Sequence, residues 1–174
     1  MKKLLIVVDM QKDFVDGALG TPEAQGIVGK VVEKIKGFDG DMIATLDTHT
    51  PDYMQTQEGT KLPVPHCIKG TDGWALAPAV GAVLDQKGYT AVEKPAFGSV
   101  ALPELIEKNY DIADLQIELV GLCTDICVVS NALLLKAFFP EVPICVDAAC
   151  CAGVSPESHQ AALQTMAACQ ITIG

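Results

Sequence analysis

Four apolar runs in this chain each stop at a polar group able to do chemistry. The run at 4–8 stops at Asp9, and the run at 42–46 at Asp47-Thr48-His49. The weaker run at 90–92 stops at Glu93-Lys94, and the run at 117–120 at Gly121-Leu122-Cys123-Thr124-Asp125-Ile126-Cys127. A carboxylate, an acid–imidazole pair, an ammonium and a thiol are the groups that acid–base, metal-binding and nucleophilic chemistry draw on. Each also has an ordinary reading. Asp9 can begin a turn or cap a helix, Lys94 can sit in solvent, and Cys127 can be one more buried thiol, since cysteine is among the most buried residue types.

Cys127 has one physical point in its favour. It falls in the first turn of a helix that the pattern predicts over 125–138, where free amides and the macrodipole favour an anion. A thiol there, beside a lysine, drops below its free pKa of ~8.5 and becomes a thiolate nucleophile. Backbone N–H groups of Cys123 and Cys127 are available there for an oxyanion. Cys123 is a rival nucleophile outside that helical turn. Asp47 and His49 follow a different logic. Residues i and i+2 of a strand point the same way, so both can face one ion. The chain has 3 histidines, and two of them, His49 and His66, flank a stretch that also holds Glu58. Asp47, His49, Glu58 and His66 make an N/O ligand set for Zn²⁺, Fe²⁺ or Mn²⁺, or else a polar loop with incidental histidines. His159 lies within the last predicted helix, where packing or a hydrogen bond to a strand-end acid such as Asp147 is the expected role. Phe14, Tyr53, Trp74 and Phe97 are candidates for the wall of a flat apolar pocket, or ordinary core.

The elements that must hold these groups read as alternating strands and helices. Runs at 142–146 and 171–173 join the four above, and all are apolar on both faces, as in strands of a covered parallel sheet. Between them, Ile27, Val28, Val31, Val32 and Ile35 recur at helical spacing. Ser99 precedes a short helix carrying Leu102, Leu105 and Ile106. Ser155-Pro156-Glu157 is a helix start with an N-cap, a first-turn proline and an early acid. The expected fold is α/β: a three-layer, doubly wound domain over 1–174 with a mostly parallel, about six-stranded sheet. From 48 to about 78 no periodicity is visible and 4 prolines intervene. An irregular stretch beyond ~12–15 residues in a compact domain is usually functional. Ligands in such folds bind beyond the carboxyl ends of the strands, where all four polar endings lie.

Composition narrows the function. Hydrophobic residues make up 49% and mean hydropathy is +0.31, which excludes global disorder. There are 12 basic against 22 acidic residues, a net charge of −10, and every basic residue is lysine. Such a surface, with no guanidinium fork, is a poor match for nucleic acid or for anionic membranes. No run reaches the ~18 apolar residues of a membrane span. The start, Met1-Lys2-Lys3 then five apolar residues, is cut off by Asp9 and so reads as a strand rather than a signal peptide. Seven cysteines, an odd number with no CxxC pair, read as reduced core thiols. A cytoplasmic location is expected.

Taken in order, the segments resemble the isochorismatase-like cysteine hydrolases, and among them the nicotinamidases. The resemblance is carried by Val8-Asp9-Met10-Gln11-Lys12-Asp13-Phe14, Asp47-Thr48-His49 and Leu62-Pro63-Val64-Pro65-His66-Cys67-Ile68-Lys69-Gly70-Thr71. Lys94-Pro95-Ala96-Phe97 and Gly121-Leu122-Cys123-Thr124-Asp125-Ile126-Cys127-Val128 complete it. It implies a catalytic triad of Asp9, Lys94 and Cys127. It implies a cis peptide between Leu122 and Cys123 that aims the Cys123 and Cys127 amides at an oxyanion. It also implies a divalent metal, zinc first, then iron or manganese, on Asp47, His49, His66 and Glu58, holding the pyridine nitrogen. Phe14, Phe97 and Leu122 would line the substrate pocket. The chain departs from the resemblance in two places. Pro65 stands where an aromatic residue often precedes the second metal histidine, and Cys123 replaces a small residue at the turn.

The implied activity is hydrolysis of nicotinamide to nicotinate and ammonia, by a homo-oligomer acting on a free small-molecule amide. The alternatives are the same chemistry on another small amide or carbamate, or an interaction domain that keeps the fold without catalysis.

Overall fold

Residues 4–8 carry no polar side chain, so both faces of that strand must be covered. In the computed structural model, which describes residues 1–174, they form the centre of β1 (Lys2–Val8) and all are fully buried. Leu4, Ile6 and Val8 enter one apolar core, while Leu5 and Val7 enter another on the opposite face. This is the two-residue alternation of a strand. Each such side chain contributes about 1.5–3 kcal/mol by leaving water.

The other strands are β2 (Asp41–Asp47), β3 (Thr90–Lys94), β4 (Leu115–Leu122), β5 (Ile144–Ala152) and β6 (Thr172–Ile173). All neighbours are parallel, in the order β3-β2-β1-β4-β5-β6. The helices are α1 (Lys12–Val15), α2 (Pro22–Gly37), α3 (Gln57–Lys61), α4 (Pro78–Lys87), α5 (Ala101–Asn109), α6 (Val129–Phe138) and α7 (Pro156–Ala168). One core packs β1 against α5, α6 and α7 through Leu102, Ile106, Leu135, Leu163 and Met166. The other uses Ile27, Val31 and Ile35 of α2 and Val80 and Leu84 of α4. Strand order reverses between β1 and β4, so the crevice of a doubly wound sheet opens beside the ends of those two strands.

Helix starts follow the local chemistry. Thr21 caps α2, its hydroxyl accepting from Ala24 N at 3.0 Å, with Pro22 in the first turn. Ser155 caps α7, and Ser158 completes a reciprocal capping box. Two differences from the sequence expectation have clear causes. The stretch 48–78 contains α3 and short 3₁₀ turns at Tyr53–Gln55 and Asp72–Trp74. It is followed by α4, which the pattern does not reveal because Ala79, Gly81 and Ala82 dilute the stripe formed by Val80, Val83 and Leu84. The strand expected over 142–146 begins instead at Ile144, because Val142 N closes a turn onto Phe139 O, and it runs on to Ala152.

Gly121 sits at the close approach of β4 to β1. Its φ is +118°, and a Cβ there would lie 2.2 Å from Val8 O. Gly121→Ala is expected to destabilise the chain by more than ~1 kcal/mol, measured by urea unfolding. Ile6→Ala, at a fully buried position, is expected to cost ~2–5 kcal/mol in the same assay.

Candidate active site

β1 ends at Val8, and Asp9 turns the chain with φ +47°, a left-handed conformation that aspartate tolerates better than most residues. Thr45 of β2 fixes it. The Asp9 N–H donates to the Thr45 carbonyl and hydroxyl oxygens, each at 3.2 Å, and the Thr45 hydroxyl donates to Asp9 Oδ1 at 2.7 Å. Lys94, the last residue of β3, reaches across with Nζ 2.7 Å from Asp9 Oδ2, both side chains fully buried. Beyond this ion pair Oδ2 has no aligned hydrogen-bond donor, which leaves it open to a proton. The same Nζ lies 3.4 Å from Cys127 Sγ, 3.4 Å from Asp47 Oδ1 and 3.0 Å from Ala96 O.

Cys127 lies in a π-helical turn, Thr124–Val128, that connects β4 to α6. The Leu122–Cys123 peptide bond is cis, as the resemblance implies. Asn131, fully buried one turn on, ties this segment to the loop after Lys94. Its Nδ2 donates to Cys127 O at 2.8 Å and Phe97 O at 3.2 Å, and its Oδ1 accepts from Ser99 N at 2.8 Å.

Electrostatics correct one expectation. Burial raises the Cys127 thiol well above its usual range, and the Asp9 charge adds to the effect. Lys94 opposes both and does not prevail, so the pull on the sulfur is upward and not the downward one that a place in the first turn of a helix suggests. Burial also raises Asp9 above the usual carboxylate range, against the pull of Lys94. Burial works against the Lys94 charge too, but the neighbouring carboxylates of Asp9 and Asp47 hold it protonated, above a free lysine. The result is a buried cation touching two acids and a thiol, with one carboxylate suited to accept the sulfur's proton.

Beside this group, the side chains of Asp47, His49, Glu58 and His66 converge, with one donor atom from each lying within 4.8 Å of all the others. Asp47 Oδ2 is 2.9 Å from His49 Nε2 and 3.5 Å from His66 Nε2. Glu58 Oε1, on α3, is 3.7 and 3.5 Å from the same two nitrogens. His66 Nδ1 lies 2.8 Å from Val64 O, so Nδ1 donates there and Nε2 is the nitrogen that faces the cluster. Two imidazole nitrogens and two carboxylates around one point fit a divalent metal ion. Burial would raise the Asp47 carboxyl, yet the bonds from His49 and His66 and the Lys94 charge hold it well below its usual range. Asp47 thus belongs to both halves of the site.

The remaining candidates separate. Phe14 packs its ring 5.4 Å from that of His66. Tyr53 is a buttress and no pocket wall. Its ring meets His49 at 4.9 Å and His66 at 5.0 Å, and its hydroxyl donates to Leu62 O at 2.8 Å. Trp74 donates from Nε1 to Thr48 Oγ1 at 2.9 Å. Phe97 is held by its carbonyl, with its side chain exposed. The expectation that Leu122 lines the pocket is corrected. Its side chain is fully buried in the core with Leu5 and Val7. His159 bonds Thr124 Oγ1 at 2.7 Å and not Asp147, whose partner is Lys34 at 2.6 Å. Thr45 and Asn131 went unseen in the sequence because neither sits in a recognisable motif.

Removing Lys94 leaves Asp9 and Asp47 buried without their cation. Lys94→Met is expected to cost ~3–5 kcal/mol in urea unfolding, and Asp9→Asn in the same chain is expected to recover part of that loss.

The isochorismatase domain model matches residues 3–174. An isochorismatase family protein, PncA, from Bacillus subtilis, described as uncharacterized, is 31% identical over 177 residues, covering 96% of this chain and 95% of that one. The crystal structure of nicotinamidase PncA from Bacillus subtilis superposes with a TM-score of 0.85 at 26% identity, covering 100% of this chain and 99% of that one. The pyrazinamidase of Pyrococcus horikoshii, in complex with zinc, gives a TM-score of 0.79 at 25% identity, with 100% and 99% covered. A parallel sheet with its acid, lysine and cysteine at the switch point, matched end to end in this way, makes the chain a member of the isochorismatase family of hydrolases.

Proposed function

We propose that this hydrolase converts nicotinamide to nicotinate and ammonia through a cysteine thioester. The observation that carries the reading is the contact of Lys94 Nζ with Asp9, Cys127 and Asp47 at once, which places the acid, cation and thiol against a two-histidine, two-carboxylate cluster. The relatives described as nicotinamidase and pyrazinamidase support the substrate class.

The geometry supports the following steps. Asp9, with its raised pKa, takes the proton of Cys127 as Sγ attacks the amide carbon, and Lys94 offsets the charge that then lies on sulfur. The carbonyl oxygen becomes an oxyanion received by the N–H groups of Cys123 and Cys127. Loss of one such donor typically costs about 10²–10³ in rate. Asp9 returns its proton to the amide nitrogen, the C–N bond breaks and ammonia leaves. Water, deprotonated by Asp9, then cleaves the thioester, and the sulfur recovers its proton from Asp9. Asp47, His49, Glu58 and His66 would hold the metal, with zinc first among the candidates and iron or manganese next. Bound there, a divalent ion supplies a Lewis-acidic anchor for the pyridine nitrogen. Phe14, against His66, is the aromatic ring best placed to meet the substrate.

A second reading, the same chemistry on another small amide or carbamate, is favoured by Pro65, which leaves no aromatic ring directly before His66.

Ammonia release over a panel of aromatic and aliphatic amides separates the two readings. Nicotinamide is expected to be the best substrate, and a clear preference for an aliphatic amide or carbamate would establish the second. Cys127→Ala is expected to abolish release while keeping the unfolding transition, and Asp9→Asn to lower kcat by at least ~10². Removal of metal by a chelator is expected to raise KM for nicotinamide or remove the activity. Turnover by Cys127→Ala at the wild-type rate would end the mechanism.

A further inference from the structure

The segment that carries Asp9 does more than supply a proton acceptor. Two residues on, Gln11 is fully buried and its amide is spent on main chain. Gln11 Oε1 accepts from Asp47 N at 2.8 Å, and Nε2 donates to Asp47 O at 2.9 Å and to Trp74 O at 2.8 Å. Both main-chain groups of Asp47 are therefore gripped by one side chain. Two residues further, Asp13 Oδ2 accepts from Cys67 N at 2.8 Å. Cys67 follows His66 and has φ +47°, a conformation that costs a non-glycine residue energy unless neighbours impose it. The Asp13 carboxylate is also wedged against Gly73, where a Cβ would lie 2.2 Å from its oxygens. Phe14 then packs its ring, tilted by 58°, against that of His66 itself.

We propose that Gln11 and Asp13 are positioning residues for metal binding. Gln11 sets the ligand Asp47, Asp13 sets the ligand His66 through Cys67, and both reference the cluster to the strand end that bears Asp9. The inference rests on the metal reading above. Asp47 and His66 lie on chain segments with no covalent reason to stay in register, one at the end of β2 and the other in the irregular stretch between α3 and α4. Clamps of this kind preorganise donors, and their loss typically weakens metal affinity 10–100-fold.

The test titrates metal-free protein with Zn²⁺ alone, read by the fluorescence of the single tryptophan, Trp74, and by competition with a chelator. The melting temperature of each metal-free variant is the structural control. Gln11→Met keeps the bulk and removes all three hydrogen bonds. Asp13→Ala removes the acceptor for Cys67, and Asp13→Asn restores one. Gln11→Met and Asp13→Ala are expected to bind Zn²⁺ 10–100-fold more weakly than wild type, with Asp13→Asn returning to within a few-fold. Wild-type zinc affinity in a folded variant, whatever its melting temperature, overturns the proposal for that residue. Asp13→Asn as weak as Asp13→Ala overturns the hydrogen-bond account of Asp13. Should Gln11→Met fail to fold, the Asp13 pair decides. Wild-type protein that takes up no Zn²⁺ refutes the metal reading itself, an outcome distinct from variants that bind as wild type does.

Discussion

A single ammonium group organises this molecule. Lys94 Nζ is wholly buried, and it is within reach of two carboxylates and a thiol that come from three other strand ends. No charge of that kind survives in an apolar interior without partners, because the desolvation cost is several kcal/mol per ion. The partners in turn need the lysine, since Asp9 and Asp47 would otherwise be two neighbouring buried anions. Catalytic geometry and local folding are here the same constraint. The strand ends must meet at this point for the interior to be electrically tolerable.

The sheet supplies that meeting point through its order and through one close contact. With β1 and β4 adjacent and running parallel, Asp9 and the π-helical turn emerge side by side, and β2 and β3 bring Asp47 and Lys94 from the same edge. Gly121 allows the last step of the approach, because its missing side chain gives Val8 O the space. Asp47 then joins the halves, with Oδ1 toward the lysine and Oδ2 toward the histidines.

Legibility in the sequence tracked how local each property is. The strands were readable because a central parallel strand is apolar on both faces, and the helix start at Ser155-Pro156 because capping is a short-range code. The four candidate metal-ligating residues were readable from their types and separations, and the structure brings them together. α4 escaped because its small residues flatten the periodic signal. The place of Leu122 escaped because a one-residue offset along a strand decides whether a side chain meets the crevice or the core. The upward pull on the Cys127 thiol could not be read from its place in the first turn of a predicted helix, since burial is a property of the whole packing. Gln11 and Asp13 left a trace in their spacing from Asp9, at alternate positions along one segment. Their partners are main-chain groups, which no sequence pattern displays.

The burial of one sulfur also bears on how this protein ages. Peroxide attacks thiolates at accessible sites, and the product ladder runs from sulfenic acid to irreversible sulfinic and sulfonic acids. Cys127 is only 4% exposed, and burial pushes its thiol up, whereas Cys169 lies open at the end of α7. Peroxide is therefore expected to reach the open Cys169 before Cys127, whose sulfur the packing shields from solvent.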